Sequence, residues 1–533
     1  MKNKNGITLI ALVITIVVLI ILAGVAINLT LGENGILNKA QQAKQKQSEQ
    51  EAREKLELVL SNARIEKETN TSYNDEYLNS MLEAKGIAVD GDYVIVDNYN
   101  YLIDREQLII KDSLGETQIK VTTKVEEYLG KNANNKYEAN LLLTVESNAG
   151  LQTVVVTKPD ATTTEVRIEE AKTGKSMTVE LDVEYIVTVT TKDGKATTRK
   201  IVEKSEETIS SVAELVAFRD AVNSGLTYEG KTISLTQDID LASVCGEDID
   251  GNPVSWEPIG TETNPFKGTF DGNKKMITSL YINSSDNIQG LFGNNNGIIQ
   301  ELILENGTIY ASTSDYIGTI VGLNRGIIRN CNNKANIIGQ SLFCCGGITG
   351  WSGGKIQQCV NKGNIQNTNR KNTGGIVGDS RGLIENCFNL GTVQGGQYVG
   401  GIVGAFYFYE QGNESTIKNC YNVGNIIAST AAGSIAATNG NDATWTGGTI
   451  QNCYYLEGTS NKGIYSSYNA IKNEASSKTL EQMKNLAPTL GDAYVADGKI
   501  KNSAGEWVDN IDESGNIIYI NNGYPILKWQ VEE

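Results

Sequence analysis

Five stretches of this chain read almost alike: residues 328–337 (IRNCNNKANI), 356–365, 384–393, 417–426 and a degraded copy beginning at Ile450. Each carries Cys at its fourth position (Cys331, Cys359, Cys387, Cys420 and Cys453), with Cys-to-Cys spacings of 28, 28, 33 and 33 residues. A period in this range marks a solenoid, because one copy is too small to bury its own apolar face and must stack on the next. A second element lies upstream in the same copies, Gly-Gly-Ile-x-Gly at 346–350, 374–378 and 400–404, with looser forms at 290–293, 318–322 and 433–437. Together the motifs predict a parallel β-helix whose coil has three strands, one at GGIxG, one at IxNC and one at the closing Gly-x-Ile. Coils stack about 4.8 Å apart, so equivalent residues form ladders along the axis. Asn333, Asn361, Asn389 and Asn422 follow Cys by two positions, and Gly363, Gly391 and Gly424 by four. Both residue types accept positive φ at corners, and stacked Asn amides bond to one another. Phe388, Tyr421 and Tyr454 are expected to stack likewise.

The Cys column admits three readings. A zinc site wants closely paired ligands, and the chain has neither a CxxC pair nor any His. Disulfides between consecutive coils have an acceptable Cα spacing, but parallel in-register side chains give a poor S–S torsion. A column of small, reduced, buried thiols meets neither difficulty and is preferred. Cys344 and Cys345 are neighbours whose side chains should face opposite ways, with no legible role.

The absence of His in 533 residues also removes the Ser-His-Asp triad, the Cys-His pair and the HExxH zinc peptidases. Carboxylate, Lys and Arg chemistry survives that test. Between residues 290 and 460, however, Asp occurs only at Asp315, Asp379 and Asp442, at different repeat positions, whereas a catalytic groove needs carboxylates brought together. The chain therefore reads as a non-enzyme, with a β-helix polysaccharide lyase or hydrolase as the weaker alternative, in which Arg325, Arg329, Arg370 and Arg381 meet a sugar acid. A net charge of −17 without a basic cluster argues against a nucleic-acid partner. Asp248-Ile-Asp250-Gly-Asn252 resembles part of a calcium loop, but its Gly comes early and no acidic residue closes it, so a turn is preferred. No cofactor is implied.

Residues 7–31 contain no charge, and 7–27 alone gives 21 residues, about 30 Å of helix, enough to cross a bilayer. Lys2 and Lys4 precede it and orient the N-terminus to the cytoplasm, leaving the bulk of the chain outside the cell. No Cys follows Leu22-Ala23-Gly24 to take a lipid, and the closing KWQVEE is not an LPxTG-like sorting signal. The start, Lys4-Asn5-Gly6-Ile7-Thr8-Leu9-Ile10-Ala11, resembles type IV prepilins and pseudopilins. The resemblance implies cleavage after Gly6 by a membrane prepilin peptidase, methylation of Ile7 and a link to pilus or secretion machinery. The family usually has Glu at the fifth mature position, where this chain has Ala11, so a minor subunit or a plain anchor fits better than a major filament subunit.

Residues 36–67 read as a polar stalk helix whose apolar positions thicken only at Leu56, Val59, Leu60 and Ala63. A small helix-plus-sheet unit at 70–115 suits a pilin-like head. Residues 116–204, Val- and Thr-rich with turns at Gly150, Gly174 and Gly194, suggest an antiparallel β-sandwich-like spacer. An amphipathic helix at 210–223, capped by Ser210 or Ser211, is expected to cover the first coil.

Trp256-Glu-Pro-Ile-Gly260, Phe266-Lys-Gly-Thr-Phe-Asp-Gly-Asn273, Gly290-Leu-Phe-Gly293 and the later repeats resemble the GLUG-motif family of bacterial surface proteins, from 210 to 460 and again at 522–529. The resemblance implies surface display and suggests adhesion; a glycan or host-matrix component is the expected class of ligand. The expected organisation is a leader (1–6), transmembrane helix (7–31), polar stalk (32–69), helix-plus-sheet unit (70–115), spacer (116–204), solenoid cap and first coils (205–285), GLUG-type solenoid (286–460) and C-terminal cap (461–533). The fold class is mostly β, and the expected role is a membrane-anchored, adhesin-like display protein, with a minor pilin-like component as the alternative.

Overall fold

The computed structural model describes residues 36–532 apart from 71–72, 91–92, 98, 117, 312–313, 340–342, 369–371, 407–414, 440–447 and 467–471. The expected membrane span at 7–31 and the processing residues Gly6 and Ile7 lie outside the described residues. Among the described residues no helix is long and apolar enough to cross a membrane. The chain divides into two compact units: residues to 124 with 142–177 and 184–202, and residues 125–141 with 178–183 and 203–533.

The first unit begins with a helix, Ile36–Thr69. Ala52, Leu56, Val59, Leu60 and Ala63 recur at helical spacing and are buried against Leu78 and Leu82 of a second helix, Asp75–Glu83, and against Val94, Val96, Tyr101 and Ile103. The C-terminal half of the expected solvated stalk is therefore one wall of a core. Its sheet is a four-stranded antiparallel meander, Ala88–Asp90, Tyr93–Val96, Tyr99–Asp104 and Ile109–Glu116. Arg64 locks helix to sheet by donating to the Leu108 carbonyl at 2.9 and 3.1 Å. A second antiparallel sheet orders Ala196–Ile201, Tyr185–Thr191, Leu151–Thr157 and Thr163–Val166, and Tyr185, Val187, Val189 and Thr191 alternate inward along its strand. The chain crosses between the units along Ile119–Lys131, Tyr137–Ser147 and Lys175–Glu180, so residues 116–204 contribute to both.

In the second unit, Glu206–Ile209 and Thr232–Leu235 pair in parallel, joined through the helix Val212–Asn223. Ser211 caps this helix by accepting from the Glu214 N–H at 3.3 Å, and the Glu214 carboxylate accepts from the Ser210 N–H at 2.7 Å, a reciprocal arrangement. Leu215, Phe218 and Val222 are buried, with the Phe218 ring 5.7 Å from Phe266 and 5.8 Å from Phe270. Lys231, only 4% exposed, ties the first rung together by donating to Tyr128, Glu203 and Glu207 at 3.1, 2.8 and 3.0 Å.

Each full coil has five short strands rather than three. In one coil these are Ile327–Arg329, Asn332–Asn333, Asn336–Gly339, Cys344–Gly346 and Thr349–Ser352. Stacked in register they form five parallel ladders; the first two share a 17-stranded sheet, the third and fourth form six-stranded sheets and the fifth a seven-stranded one. The motifs straddle corners instead of forming strands. GGIxG is the bend between fourth and fifth ladders, and its Ile (Ile320, Ile348, Ile376, Ile402, Ile435) points into the core. IxNC bends between first and second ladders at the residue before Cys, where Asn330, Gln358, Asn386, Asn419 and Asn452 hold φ of 52 to 54° or 55°. The left-handed position is thus one residue before Cys, not at the Asn two residues after it.

That later Asn does different work. Asn333 donates to Asn361, Asn361 to Asn389 and Asn389 to Asn422, at 2.7, 2.7 and 2.8 Å, all fully buried. Each also clamps its own corner, as Asn361 does by donating to the Gly363 carbonyl and accepting from its N–H at 2.9 and 3.2 Å. Across the interior the amides lie against the Gly pairs: a Cβ on Gly375 would sit 2.5 Å from the Asn389 Cγ and 2.1 Å from the Gly401 carbonyl oxygen. Gly363, Gly391 and Gly424 are demanded by the same closeness of backbone, since a Cβ there would lie 1.9 Å from the carbonyl oxygen of the coil below. A second buried ladder runs Asn295 to Asn324 to Ser352 at 2.8 and 3.1 Å.

Thr449–Leu456 and Lys472–Lys478 add the last two rungs of the first sheet. The rest of the segment expected as an end cap instead returns along the flank of the coils. Met483, Leu486, Leu490, Leu527 and Trp529 pack on Val360, Phe388 and Tyr421, and Trp529 donates to the Gln358 carbonyl at 3.0 Å. Buried Asp497 organises this segment by accepting from the N–H groups of Ile520, Asn521 and Gly523 at 2.9, 2.8 and 2.8 Å.

Replacing Asn361 by Ala orphans buried amide and backbone groups and is expected to cost about 1–3 kcal/mol or more. Gln366→Ala, at an exposed position five residues on, should change stability by no more than about 0.5 kcal/mol. Chemical unfolding of the two variants side by side checks the contrast.

Candidate binding surfaces of the solenoid

The five repeat cysteines do not face solvent. All eight cysteines of the chain are buried and free of disulfide. Each repeat thiol donates to the carbonyl two residues before it, across the left-handed bend: Cys331 to Arg329 at 3.2 Å, Cys359 to Gln357 at 3.3 Å, Cys387 to Glu385 at 3.3 Å, Cys420 to Lys418 at 3.2 Å and Cys453 to Gln451 at 3.3 Å. The backbone N–H groups of Cys359 and Cys387 point at the next sulfur in the column, both at 3.4 Å. Burial pushes the Cys359 and Cys420 thiols well above their ordinary range. Cys345 is raised for the same reason. This chemistry suits a small side chain that closes a tight bend, and opposes a nucleophile, which needs an accessible thiolate.

Binding chemistry therefore lies on the outer rows. On the first ladder the outward row is charged and paired with itself: Gln300 donates to Asp271 at 2.8 Å, Arg329 to Gln300 at 2.9 Å, and Lys418 reaches Glu385 at 2.7 Å. On the second, the outward row includes Phe388 and Tyr421, stacked at 4.7 Å with ring planes 8° apart, beneath the returning C-terminal segment. The Tyr421 hydroxyl donates to the Pro525 carbonyl and accepts from Asn521 at 3.0 Å. Burial raises this phenol well above its normal value.

The outer rows of the fourth and fifth ladders bring together residues that are far apart in the sequence. The guanidinium groups of Arg325 and Arg381 lie over the Trp351 ring, 5.6 and 5.9 Å from its centroid. Asp379, in register with Trp351 and almost fully buried, accepts from Asn372 at 3.2 Å. Of the four arginines considered for a sugar acid, Arg325 and Arg381 thus share one aromatic platform, Arg329 belongs to the first-ladder row, and Arg370 lies outside the described residues, as does Asp442. Trp351 escaped notice in the sequence; aligning the coils on Cys and reading the position occupied by Leu323, Trp351 and Asp379 is the signal that finds it.

The third ladder presents a six-stranded face. Its outward positions alternate with the buried Ile282, Ile309, Ile337, Ile365, Val393 and Ile426. Tyr310, Ile338 and Ile427 are 39, 43 and 49% exposed on it.

Asp248 is committed to a turn. Its carboxylate accepts from the N–H groups of Asp250 and Asn252 at 2.9 and 2.7 Å and from the Asn252 amide at 3.1 Å, closing the hairpin Gly246–Glu247 to Pro253–Val254. These bonds hold its carboxyl below the usual range. Asp512 makes the same three contacts with Ser514 and Asn516, where no second carboxylate stands at the middle position. Among the described residues no group of three or more His, Cys, Asp or Glu is placed to hold a metal ion.

In the folded protein all eight thiols should resist a charged alkylating reagent and become reactive only in denaturant, read by mass spectrometry of the intact chain. Calcium should leave the melting temperature unchanged, whereas a rise would assign Asp248, Asp250 and Asn252 to the ion.

No family profile matches this chain. A stretch of 121 residues is 37% identical to a protein of Evansella cellulosilytica named as a Gly-rich membrane protein, covering 22% of this chain and 13% of that one. Another of 136 residues is 31% identical to halomucin of Haloquadratum walsbyi, covering 25% of this chain and 1% of that protein. The chain thus spans only a small part of the length of these relatives. A solved IgA1 protease chain aligns over 68% of this chain and 28% of its own, with 16% identity and a TM-score of 0.32.

Proposed function

We propose that this chain is a membrane-anchored surface protein that presents its β-solenoid for binding and performs no catalysis. The observation that carries the reading is the disposition of polar groups. The interior is filled by Ile, Cys and Asn ladders. Asp271 and Glu385 stand four rungs apart in the first-ladder row and are each paired there, and Asp379 is held on the fifth ladder, so among the described residues these carboxylates do not converge on a reacting atom. What the coils do offer is extended outer surface at a regular spacing. A relative named as a membrane protein is consistent with this location. The anchor is the span at 7–31, the solenoid resembles those of GLUG-motif surface proteins, and the ligand is a glycan or host-matrix component.

One observation favours a second reading, a minor pilin or pseudopilin-like component. The helix Ile36–Thr69 buries its C-terminal half on a four-stranded antiparallel sheet, a head suited to the prepilin-like start with Gly6 and Ile7.

Binding of the purified full-length protein to an array of glycans and matrix proteins tests display, and incubation with neutral and acidic polysaccharides should yield no new reducing or unsaturated ends. New ends would overturn the non-catalytic reading. Mass spectrometry of the native N-terminus should find methylated Ile7; an intact Met1 or cleavage anywhere other than after Gly6 would remove the pilin-like reading.

A further inference from the structure

The outer face of the third ladder carries no charge on either of its two outward rows. The uncharged outer face of the fourth ladder is a single row, from Ile288 to Ala431, and that of the second is covered in part by the returning C-terminal segment. The two third-ladder rows begin at Tyr281 and Asn283 and end at Asn425 and Ile427, and every position between them is Tyr, Asn, Thr, Ile or Gln. This is unusual in a chain with 20% charged residues and a net charge of −17. The neighbouring first-ladder row carries Asp271, Arg329, Glu385 and Lys418.

The same face is rich in groups that both donate and accept. Asn336 accepts from the Asn364 N–H at 2.8 Å and Asn364 from the Thr392 N–H at 3.0 Å, which fixes the amides and leaves their N–H donors for an outside partner. Gln366 is exposed on the adjoining row. Tyr281 and Tyr310, with ring centroids 5.8 Å apart, supply an aromatic end, and Ile338 an apolar step beside it. The six strands repeat about every 4.8 Å, a run of roughly 24 Å whose period is close to the length of one extended sugar unit.

We infer that this face binds a neutral, extended polysaccharide, its hydroxyls meeting the Asn and Gln amides and its sugar faces meeting Tyr281 and Tyr310. An acidic polymer would gain nothing from a face without cations. A second copy of the chain is a poorer match, because protein interfaces concentrate aromatic residues and Arg at their centre, whereas here the centre is amide. The inference rests on the display reading and names its ligand class.

Full-length protein in detergent micelles is sedimented with microcrystalline cellulose, with chitin and with polygalacturonate beads, at low and high salt. Retention is expected on a neutral polymer and should not fall with salt, since no charges are screened. The near-isosteric double variant Asn364→Asp, Gln366→Glu keeps the backbone contacts but adds two charges, and should weaken retention about tenfold or more. Lys355→Glu, on the first ladder, serves as the control and should leave it unchanged. Retention on polygalacturonate alone, or full retention by the double variant, overturns the inference. So does a wild-type dimer that the double variant disperses, which would assign the face to a second copy. If the double variant loses nothing on the glycan and matrix array, display stands and this face is wrong; if wild-type protein binds neither polymer nor array, both readings fall.

Discussion

The solenoid depends on one contact, the closeness of each buried Asn amide to the backbone of the coil beside it and to the Gly pair across the interior. Asn361 spends its amide on Gly363, Asn333 and Asn389 at once, so it fixes both the bend of its own coil and the register to the next. An apolar side chain would fill the volume but leave the amide and carbonyl of the bend without their buried partners. Gly347, Gly375 and Gly401 complete the arrangement by leaving the space that the amides occupy. The two repeated motifs, separated in sequence, are two sides of one interaction.

The Cys column depends on that frame. With the left-handed bend held at Asn330, Gln358, Asn386, Asn419 and Asn452, the next residue must turn sharply inward, where little room remains. A thiol fits and still donates weakly to the carbonyl it has just passed. Ser would make a stronger bond but bring a more costly polar group into a dry core. A residue type that invites metal or redox chemistry is here a packing and bending element.

Much of this could be read in advance from the repeat, and the gaps have physical causes. Period and inward ladder were legible because Cys, Asn and Ile recur without exception in the best copies. The bend was assigned to the wrong Asn because Gln358 interrupts the Asn pattern at the true left-handed position, while the Asn two residues beyond Cys is unbroken through Asn422. Five strands read as three because single-residue bends leave no turn signature of their own. The burial of Ala52 to Ala63 was half visible as a stripe, but a partner sheet of short strands gave no hint that it would be covered. The returning segment was not legible at all: its contacts, such as Trp529 with Gln358 or Tyr494 with Asn419, join residues with no shared periodicity. The third-ladder face was hidden for another reason, since absence of charge becomes visible only when the coils are laid side by side.

That returning segment sets a limit on the length of the stack. It touches the solenoid at Lys274 through Glu532, at Gln358 through Trp529, at Asn419 through Tyr494 and at Asn452 through Thr489, four points strung along the axis. Repeat arrays commonly grow and shrink by whole units, since each coil needs only its neighbours. Here an added coil would displace every later point by one rung while the segment stayed the same length. Relative to the 28-residue coils, the last two repeats carry seven more residues between Phe406 and Thr416 and between Asn439 and Thr449, and two fewer ahead of Tyr398 and Ala431, while the paired strands on either side keep their register. The segment thus works as a ruler: it holds the number of coils constant and leaves these corners free to change length.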